Sequence, residues 1–169
     1  LRADRKAAQK ILSTYLNLLT VYPDQPYDQP EVIHPITGSA IVAPKDCGDF
    51  SRLLPKEEET LEIVQRKVAN GERVLIYASW TRTDSQQKLL KLMRKNGYRA
   101  EILTPQIATE KREEWVDKRV KNGLQVLITN PRCVETGLDL NAFTTIIFYS
   151  MGYNLFTLRQ ASRRSWRIN

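Results

Sequence analysis

The sequence predicts an α/β fold in which a parallel sheet lies between two layers of helices. Three amphipathic segments end in Asn-Gly, at residues 70–71, 96–97 and 122–123, and each is followed by a short β-rich run. Such an ending is typical of a helix, because glycine readily adopts the left-handed conformation that terminates one. Helices that alternate with strands predict parallel strands joined by right-handed crossovers.

The first 55 residues follow a different pattern. A helical stretch is predicted from about Ala3 to Thr20, and residues 22–30 then carry three prolines, too many for regular structure. We therefore predict that residues 1–55 form a connector or accessory element with an N-terminal helix, and that residues 56–169 form the α/β lobe.

Three helices and four strands are predicted in the lobe. The helices begin at about Lys56, after the cap-like pair Thr83-Asp84 and after Thr109, and each has an apolar face. The strands are near-continuous runs of β-branched and aliphatic residues at positions 73–79, 99–103, 124–129 and 144–149. Runs of that kind indicate strands that are covered on both faces.

Composition narrows the class of protein and of partner. With 169 residues, 41% of them hydrophobic, the chain can bury a real core. A net charge of +7 favours a polyanionic partner. No apolar run approaches the roughly 20 residues of a membrane span, so we expect no membrane partner and a cytoplasmic protein. Cys47 and Cys133 lie far apart without metal-ligand spacing, which predicts plain thiols and no metal site.

Parallel sheets bind ligands beyond the carboxyl ends of their strands, and this rule selects four loops. They are residues 80–84, 104–106, 130–139 and 150–153. At the first loop, Ser79 and Thr81 have hydroxyls suited to phosphate contacts, although Ser, Thr and Asp at such a junction also serve as helix caps. Trp80 has two interpretations, stacking on a base or packing within the fold.

The loop after the third strand is unusually polar. It reads Thr129-Asn-Pro-Arg-Cys-Val-Glu-Thr-Gly-Leu-Asp-Leu140. Gly137 permits a positive φ or a close backbone approach, and the Asp139 carboxylate can accept a hydrogen bond from a sugar hydroxyl. The alternative interpretation is an ordinary capped loop with a turn glycine.

The last ten residues concentrate positive charge. Arg163, Arg164 and Arg167 fall within one helical turn, and residues 151–169 contain no acidic residue. Like charges three and four apart on a helix repel each other, so the cluster suits the binding of an anion, above all phosphate, better than it suits helix stability. The alternative is a solvated basic helix face.

These segments together resemble the second motor lobe of superfamily 2 helicases. The pattern Gln-x-x-Arg-Arg-x-x-Arg at 160–167 is similar to motif VI, and Gly-Leu-Asp-Leu at 137–140 is similar to motif V in its Swi/Snf style. Residues 75–84 resemble motif IV. The resemblance runs from about residue 57 to residue 169, so we expect a lobe that is truncated soon after motif VI.

Three positions depart from the Swi/Snf pattern of motif VI. Arg163 replaces an acidic residue, Trp166 replaces a histidine and Asn169 replaces a glycine. Arg112 matches an arginine that recurs in the corresponding helix of the family, although it also fits a simple surface charge. The departures concern the subfamily and leave the two arginines at the end of the motif in place.

The resemblance implies a RecA-like, P-loop NTPase-like C-terminal lobe of an ATP-dependent helicase or translocase, with roles for ten residues. The arginine fingers would be Arg164 and Arg167. The residues that contact the nucleotide would be Gly137, Asp139 and Gln160. The residues that contact the nucleic-acid backbone would be Ser79, Thr81, Thr129, Asn130 and Thr136.

The same resemblance implies a cofactor and two partners. ATP with Mg²⁺ would be held mainly by a first lobe of the same protein, because this sequence has neither a phosphate loop nor a magnesium-binding box. The nucleic acid would be DNA in preference to RNA, and the isolated lobe would be inactive.

Three alternatives remain open at this point. They are a non-hydrolysing nucleic-acid-binding or assembly lobe, the helicase subunit of a restriction or modification system, and an unrelated flavodoxin-like or Rossmann-type domain. The last is disfavoured, since no glycine-rich loop follows the first strand of the lobe.

Overall fold

The computed structural model describes residues 2–47, 52–79, 84–134, 138–150, 159 and 162. The chain divides into two compact units, and the boundary lies between Leu54 and Pro55. Among the described residues, no helix is both long enough and apolar enough to cross a membrane.

The first unit consists of a helix and a small hairpin. Helix α1 spans Arg2–Val21, close to the predicted stretch, and strands β1 (Val32–Ile33) and β2 (Ala40–Val42) pair antiparallel. In the turn between them, the His34 ring nitrogen Nδ1 accepts hydrogen bonds from the backbone N–H groups of Ile36 and Thr37, at 3.3 and 3.2 Å. The sequence did not predict this hairpin, because strands of two and three residues carry no readable alternation.

The second unit contains the predicted parallel sheet. Its strands are β3 (Val74–Tyr77), β4 (Ala100–Leu103), β5 (Val126–Thr129) and β6 (Thr145–Phe148). They lie in the order β4-β5-β3-β6, and every neighbouring pair is parallel. Its helices are α2 (Pro55–Ala69), α3 (Ser85–Lys95) and α4 (Arg112–Lys121), the last preceded by a 3₁₀ turn at Thr109–Lys111.

Hydrophobic clusters fill both faces of this sheet, because successive side chains of a strand point to opposite faces. Val74 and Ile76 of β3 pack with Val64 of α2 and with Leu89 and Met93 of α3. Leu75 and Tyr77 belong to the cluster on the other face, which contains Val116 of α4 and five residues of the segment between β5 and β6: Cys133, Val134, Leu138, Leu140 and Phe143. The predicted three-layer α/β fold is confirmed.

The glycine that follows α4 lies in close contact with a side chain near the amino ends of the strands. Gly123 has a φ of +85°, the left-handed conformation expected after a helix. A Cβ atom at this position would collide with the guanidinium of Arg99. That guanidinium donates a hydrogen bond to the carbonyl of Asn122 at 3.0 Å. The glycine therefore permits both the left-handed backbone at the helix end and the position of the Arg99 side chain.

Candidate nucleotide and nucleic-acid site

The strand register brings the predicted loops together at one edge of the sheet. Tyr77 is paired with both Thr129 and Phe148, and Thr129 is also paired with Leu103. All four strands therefore end at the same level. The residues that follow them, among them Ser79, Asn130 and Ser150, lie along this carboxyl edge.

Ser79 and Ser150 are joined by two hydrogen bonds beyond the ends of β3 and β6. The backbone N–H of Ser79 donates to Oγ of Ser150 at 2.8 Å, and the Ser79 hydroxyl donates to the Ser150 carbonyl at 3.0 Å. Ser150 is 3% exposed, whereas Ser79 is half-buried and keeps some contact with solvent. These two hydrogen bonds thus continue the pairing of β3 and β6 beyond the ends of the strands.

Asn130 connects the same serine to the third strand end. Its side-chain amide Nδ2 donates to the Ser79 carbonyl at 3.0 Å, and its Oδ1 accepts from the backbone N–H of Arg132, also at 3.0 Å. The Asn130 carbonyl accepts from the N–H of Cys133 at 2.8 Å and so begins the 3₁₀ turn Pro131–Val134. Ser79 is consequently bonded both to a residue that follows β5 and to one that follows β6.

Thr129 occupies a different environment from Asn130. It is fully buried, and its hydroxyl donates to the carbonyl of Leu103 at 2.9 Å. The side chain therefore joins β5 to β4 and offers no surface to a ligand in this arrangement.

Arg112 is a buried residue of the site, not a surface charge. It is 8% exposed, and its Nε and Nη1 groups donate to the carbonyls of Ile107 and Cys133, at 3.0 and 2.9 Å. A buried guanidinium needs such acceptors, since an unsatisfied charged donor is costly. Arg112 thereby ties the loop after β4 to the 3₁₀ turn after β5.

Asp139 lies further along the polar loop between two anchored leucines. Leu138 and Leu140 are 5% and 1% exposed and belong to the core, while Asp139 between them is half-buried. A carboxylate held in this way is a suitable acceptor for a sugar hydroxyl. Among the described residues, no group of three or more His, Cys, Asp or Glu side chains is placed to hold a metal ion.

Six predicted site residues lie outside the described part of the chain: Thr81, Thr136, Gly137, Gln160, Arg164 and Arg167. Trp80 lies outside it as well. Within the arginine-rich segment, Arg159 and Ser162 are described, and the Ser162 hydroxyl donates to the Arg159 carbonyl at 2.9 Å.

Two residues of the carboxyl edge were not selected from the sequence. Ser150 begins a loop that was predicted to be functional, but a single serine after a strand gave no reason to choose it. Gln86, in the first turn of α3, donates from Nε2 to the Ala78 carbonyl at 2.9 Å, and only the three-dimensional arrangement identifies it.

A second concave surface lies at the opposite end of the sheet. This groove of about 460 Å³ is lined by cations from α3, from the position before β4 and from α4, including Arg94, Arg99 and Lys118, and also by Glu101 of β4. Arg94 donates to the carbonyl of Ala100 at 3.1 Å and lies 3.5 Å from the Glu101 carboxylate, and Arg99 is bonded to Asn122. Because the two arginines already hold helix and strand ends, this groove is a structural region and not a comparable ligand site.

Comparison with known proteins agrees with the observed sheet. The family model of the helicase conserved C-terminal domain matches residues 55–169, which is the whole second unit. The chromatin-remodeling ATPase INO80 of Mus musculus is 27% identical over 143 residues, and the Drosophila melanogaster protein of that name is 26% identical over 144. Each alignment covers 79% of this chain but only 9% of the relative.

Solved structures with this fold include two helicase domains. The C-terminal part of the Fun30 ATPase domain superposes with a TM-score of 0.63 at 19% identity, over 72% of this chain and 39% of that one. The Pyrococcus furiosus Hef helicase domain gives a TM-score of 0.50 at 17% identity, over 66% and 22% of the two chains. The chain belongs to the helicase conserved C-terminal domain family, and its second unit has the RecA-like fold of helicase C-terminal lobes.

Proposed function

We propose that this chain is the second motor lobe of an ATP-dependent helicase or translocase that acts on DNA in preference to RNA. One observation carries the proposal: the ends of β3, β5 and β6 are bonded together at the carboxyl edge of a helicase-family lobe, and half-buried Ser79 and Asn130 lie at that junction. This is the edge at which parallel sheets bind ligands. The preference for DNA rests on the likeness to chromatin-remodeling ATPases.

The nucleic acid would be held by its backbone. Ser79, Asn130 and, in the loops that follow, Thr81 and Thr136 supply hydroxyl and amide groups for phosphate oxygens. Thr129 is assigned a supporting role, since its hydroxyl is bonded to Leu103 and holds the Asn130 end of β5 in place. Contacts of this kind fix the position of a strand and carry no base information, so recognition is independent of sequence.

The nucleotide would be held between this lobe and a first lobe. Asp139 would accept a hydrogen bond from the ribose, and the family resemblance assigns Gly137 and Gln160 to contacts with the same nucleotide. ATP with Mg²⁺ supplies the phosphoryl group that is transferred to water, and the first lobe provides most of the ground-state affinity. Arg164 and Arg167 stabilise the charge that develops on the γ-phosphate, while opening and closing of the cleft moves the strand.

The test is ATP turnover in two preparations. A protein that carries this lobe together with the first lobe should hydrolyse ATP faster when DNA is added, and faster with DNA than with RNA of equal length. This chain alone should show no turnover above background, because it lacks the phosphate loop. Stimulated hydrolysis by this chain alone would contradict the two-lobe assignment.

The same experiment separates the alternatives. DNA binding by the two-lobed protein without any turnover would indicate a non-hydrolysing assembly lobe. Turnover that requires a methylase or nuclease subunit would indicate a restriction or modification system. Stimulation by RNA only would reverse the assigned nucleic acid and leave the motor function in place.

A further inference from the structure

Hydrogen bonds at the carboxyl edge form a continuous path from α4 to Ser79. Cys133 lies in the middle of this path and is bonded on both sides of its backbone. Its N–H donates to the Asn130 carbonyl at 2.8 Å, and its carbonyl accepts from Nη1 of Arg112 at 2.9 Å. Asn130 in turn donates from Nδ2 to the Ser79 carbonyl at 3.0 Å. The path therefore joins a buried cation of α4 to a residue that the proposed function assigns to nucleic acid.

Arg112 is suited to fix the orientation of the 3₁₀ turn Pro131–Val134. Its Nε donates to the Ile107 carbonyl at 3.0 Å, so one planar guanidinium holds the carbonyls of two loops at a set separation. The side chains of Cys133 and Val134 are buried in the core, but apolar burial has no preferred direction. Hydrogen bonds are directional, and those of Arg112 supply the orientation that apolar packing does not.

The orientation of this turn decides where the Asn130 amide points. Its Oδ1 accepts from the N–H of Arg132, within the same turn, at 3.0 Å. Its Nδ2 group has two hydrogens, and the bond to the Ser79 carbonyl uses one of them. The other hydrogen suits a phosphate oxygen only while the turn holds the amide in place, because a hydrogen bond weakens steeply when it is misaligned.

We propose that Arg112 is a positioning residue for nucleic-acid binding, and that it orients the Asn130 amide through the backbone of Cys133. At 8% exposure, Arg112 is too buried to contact nucleic acid itself. Its effect on binding therefore passes through Asn130. This inference rests on the proposed function, which assigns Asn130 to the nucleic-acid backbone, and it adds the residue that holds the amide there.

Two variants of the two-lobed protein remove the guanidinium. Arg112→Met removes every donor and keeps an apolar stem, whereas Arg112→Lys keeps the charge but replaces the planar group by a compact ammonium. Each should weaken binding to a fluorescein-labelled DNA duplex with a single-stranded tail about 5-fold or more, within the range of couplings in one hydrogen-bond network. The slope of log Kd against log salt concentration should not change, because no contact between a cation and a phosphate is lost.

Arg73 provides the matched control. It is a half-buried arginine at the amino ends of the strands, and its Nε donates to the Leu124 carbonyl at 3.2 Å. Arg73→Met and Arg73→Lys therefore weaken a comparable bond away from the proposed site. They should lower the Tm but leave the affinity for DNA within about 2-fold of the wild type, as expected for independent sites. Equal losses of affinity in the Arg73 and Arg112 variants would make general destabilisation the cause and would overturn the proposal.

A double-mutant cycle with Asn130 tests the route of the effect. Asn130→Ala alone should weaken DNA binding about 5-fold or more, through the lost hydrogen bond to a charged acceptor. Addition of Arg112→Lys should then weaken it less than about 2-fold further, because no amide remains to be oriented. Losses that simply add would show that Arg112 acts by another route, which overturns the proposal. A salt slope lower by about one in the Arg112 variants would make Arg112 a direct phosphate contact and would overturn it too.

The remaining outcomes separate this inference from the proposed function. Wild-type affinity in both Arg112 variants overturns the positioning role and leaves the proposed function in place. A loss in Arg112→Met with full affinity in Arg112→Lys would show that a buried charge is sufficient, so the bridge between two carbonyls would not be the cause. If Asn130→Ala binds DNA like the wild type, the contact assigned to Asn130 fails, and the positioning role fails with it.

Discussion

The two ends of the parallel sheet are held by different chemistry. At the amino ends of the strands, charged side chains make the connections: Glu72 accepts from the ammonium of Lys67 at 3.2 Å and from the hydroxyls of Thr144 and Thr145 at 3.0 Å. At the carboxyl ends, neutral hydroxyl and amide groups of Ser79, Thr129, Asn130 and Ser150 connect the strand ends, and the one charged connection described there, Arg112, joins the loops that follow β4 and β5.

The difference indicates that the two ends of the sheet have different roles, one in stability and the other in ligand binding. The Glu72 carboxylate accepts hydrogen bonds from the end of α2 and from the start of β6, and so stabilises the start of a strand. A hydroxyl or amide contributes about 1 kcal/mol per bond, so it can exchange a protein acceptor for a ligand at modest cost. We therefore expect substitutions at the carboxyl edge to change ATP turnover more than the free energy of unfolding. Substitutions at the amino ends of the strands, the amino edge, should do the reverse.

The largest expected effect is on ATP turnover, at the two arginines that the resemblance to motif VI assigns as fingers. In the two-lobed protein, Arg164→Ala or Arg167→Ala should lower ATP turnover about 10³-fold or more, the magnitude associated with arginine fingers. Nucleotide and DNA binding should fall far less, since a finger acts on charge that appears in the transition state. Steady-state turnover and equilibrium binding measure the two quantities separately.

Arg163→Ala is the internal control for this prediction, because Arg163 occupies the position of an acidic residue in the family pattern. Lysine at either finger should restore little turnover, since a point charge on a flexible stem does not reproduce the planar guanidinium contact. Equal losses in all three alanine variants, or a loss at Arg163 alone, would contradict the assignment of motif VI.

A smaller effect, on the free energy of unfolding, is expected at the amino edge. A comparison of two glycines that follow helices measures it. Gly97 and Gly123 follow α3 and α4 with φ values of +83° and +85°, but only Gly123 lies under a side chain, that of Arg99. Alanine at either position should cost about 1–2 kcal/mol for the left-handed backbone. Gly123→Ala should cost about 1 kcal/mol more, because Arg99 must leave the Asn122 carbonyl.

Urea denaturation of the two variants measures that excess. In an Arg99→Ala background the excess should vanish, so that Gly123→Ala and Gly97→Ala become equivalent. An excess that persists without the arginine would show that the collision is not its cause.

The elements of the lobe could be predicted because their signals are local. Apolar runs and Asn-Gly endings placed each strand and helix within a few residues of its observed bounds, and parallel order followed from their alternation. Which polar residues face a ligand could not be predicted in the same way. Thr129 and Asn130 are adjacent and both polar, but Thr129 is fully buried and Asn130 is half-buried, a difference set by the pleat and by β4.

Arg112 and Ser150 show the same limit for tertiary contacts. The partner of Arg112 Nη1 is 21 residues away in sequence, and the partner of Ser150 is 71 residues away. No periodicity within a segment encodes such pairs. The two-stranded hairpin of the first unit was missed for the opposite reason, because its strands are too short to show any period at all.

The smallest expected effect is the pH dependence of the amino-edge cluster. Hydrogen bonds from Lys67 and Thr145 lower the pKa of Glu72 below its ordinary value of 4.5. A carboxyl whose pKa is lower in the folded state stabilises the fold at pH values above its unfolded pKa, and that contribution is lost as the pH falls through the folded pKa. Thermal unfolding of the wild type should therefore become easier on acidification below about pH 4.5, partly through this residue.

Glu72→Gln isolates the contribution, since glutamine keeps the shape of the side chain but does not titrate. The difference in Tm between wild type and variant should be greatest near neutral pH and should shrink as the pH falls below 4.5. The effect should be modest and reduced by salt, because the carboxylate is partly exposed to solvent and its charge is screened. ATP turnover of the two-lobed protein at neutral pH should be unaffected, since Glu72 lies at the end of the sheet opposite the proposed site. A Tm difference that is constant with pH would mean that Glu72 acts through its shape alone, and a loss of turnover would break the division between the two edges.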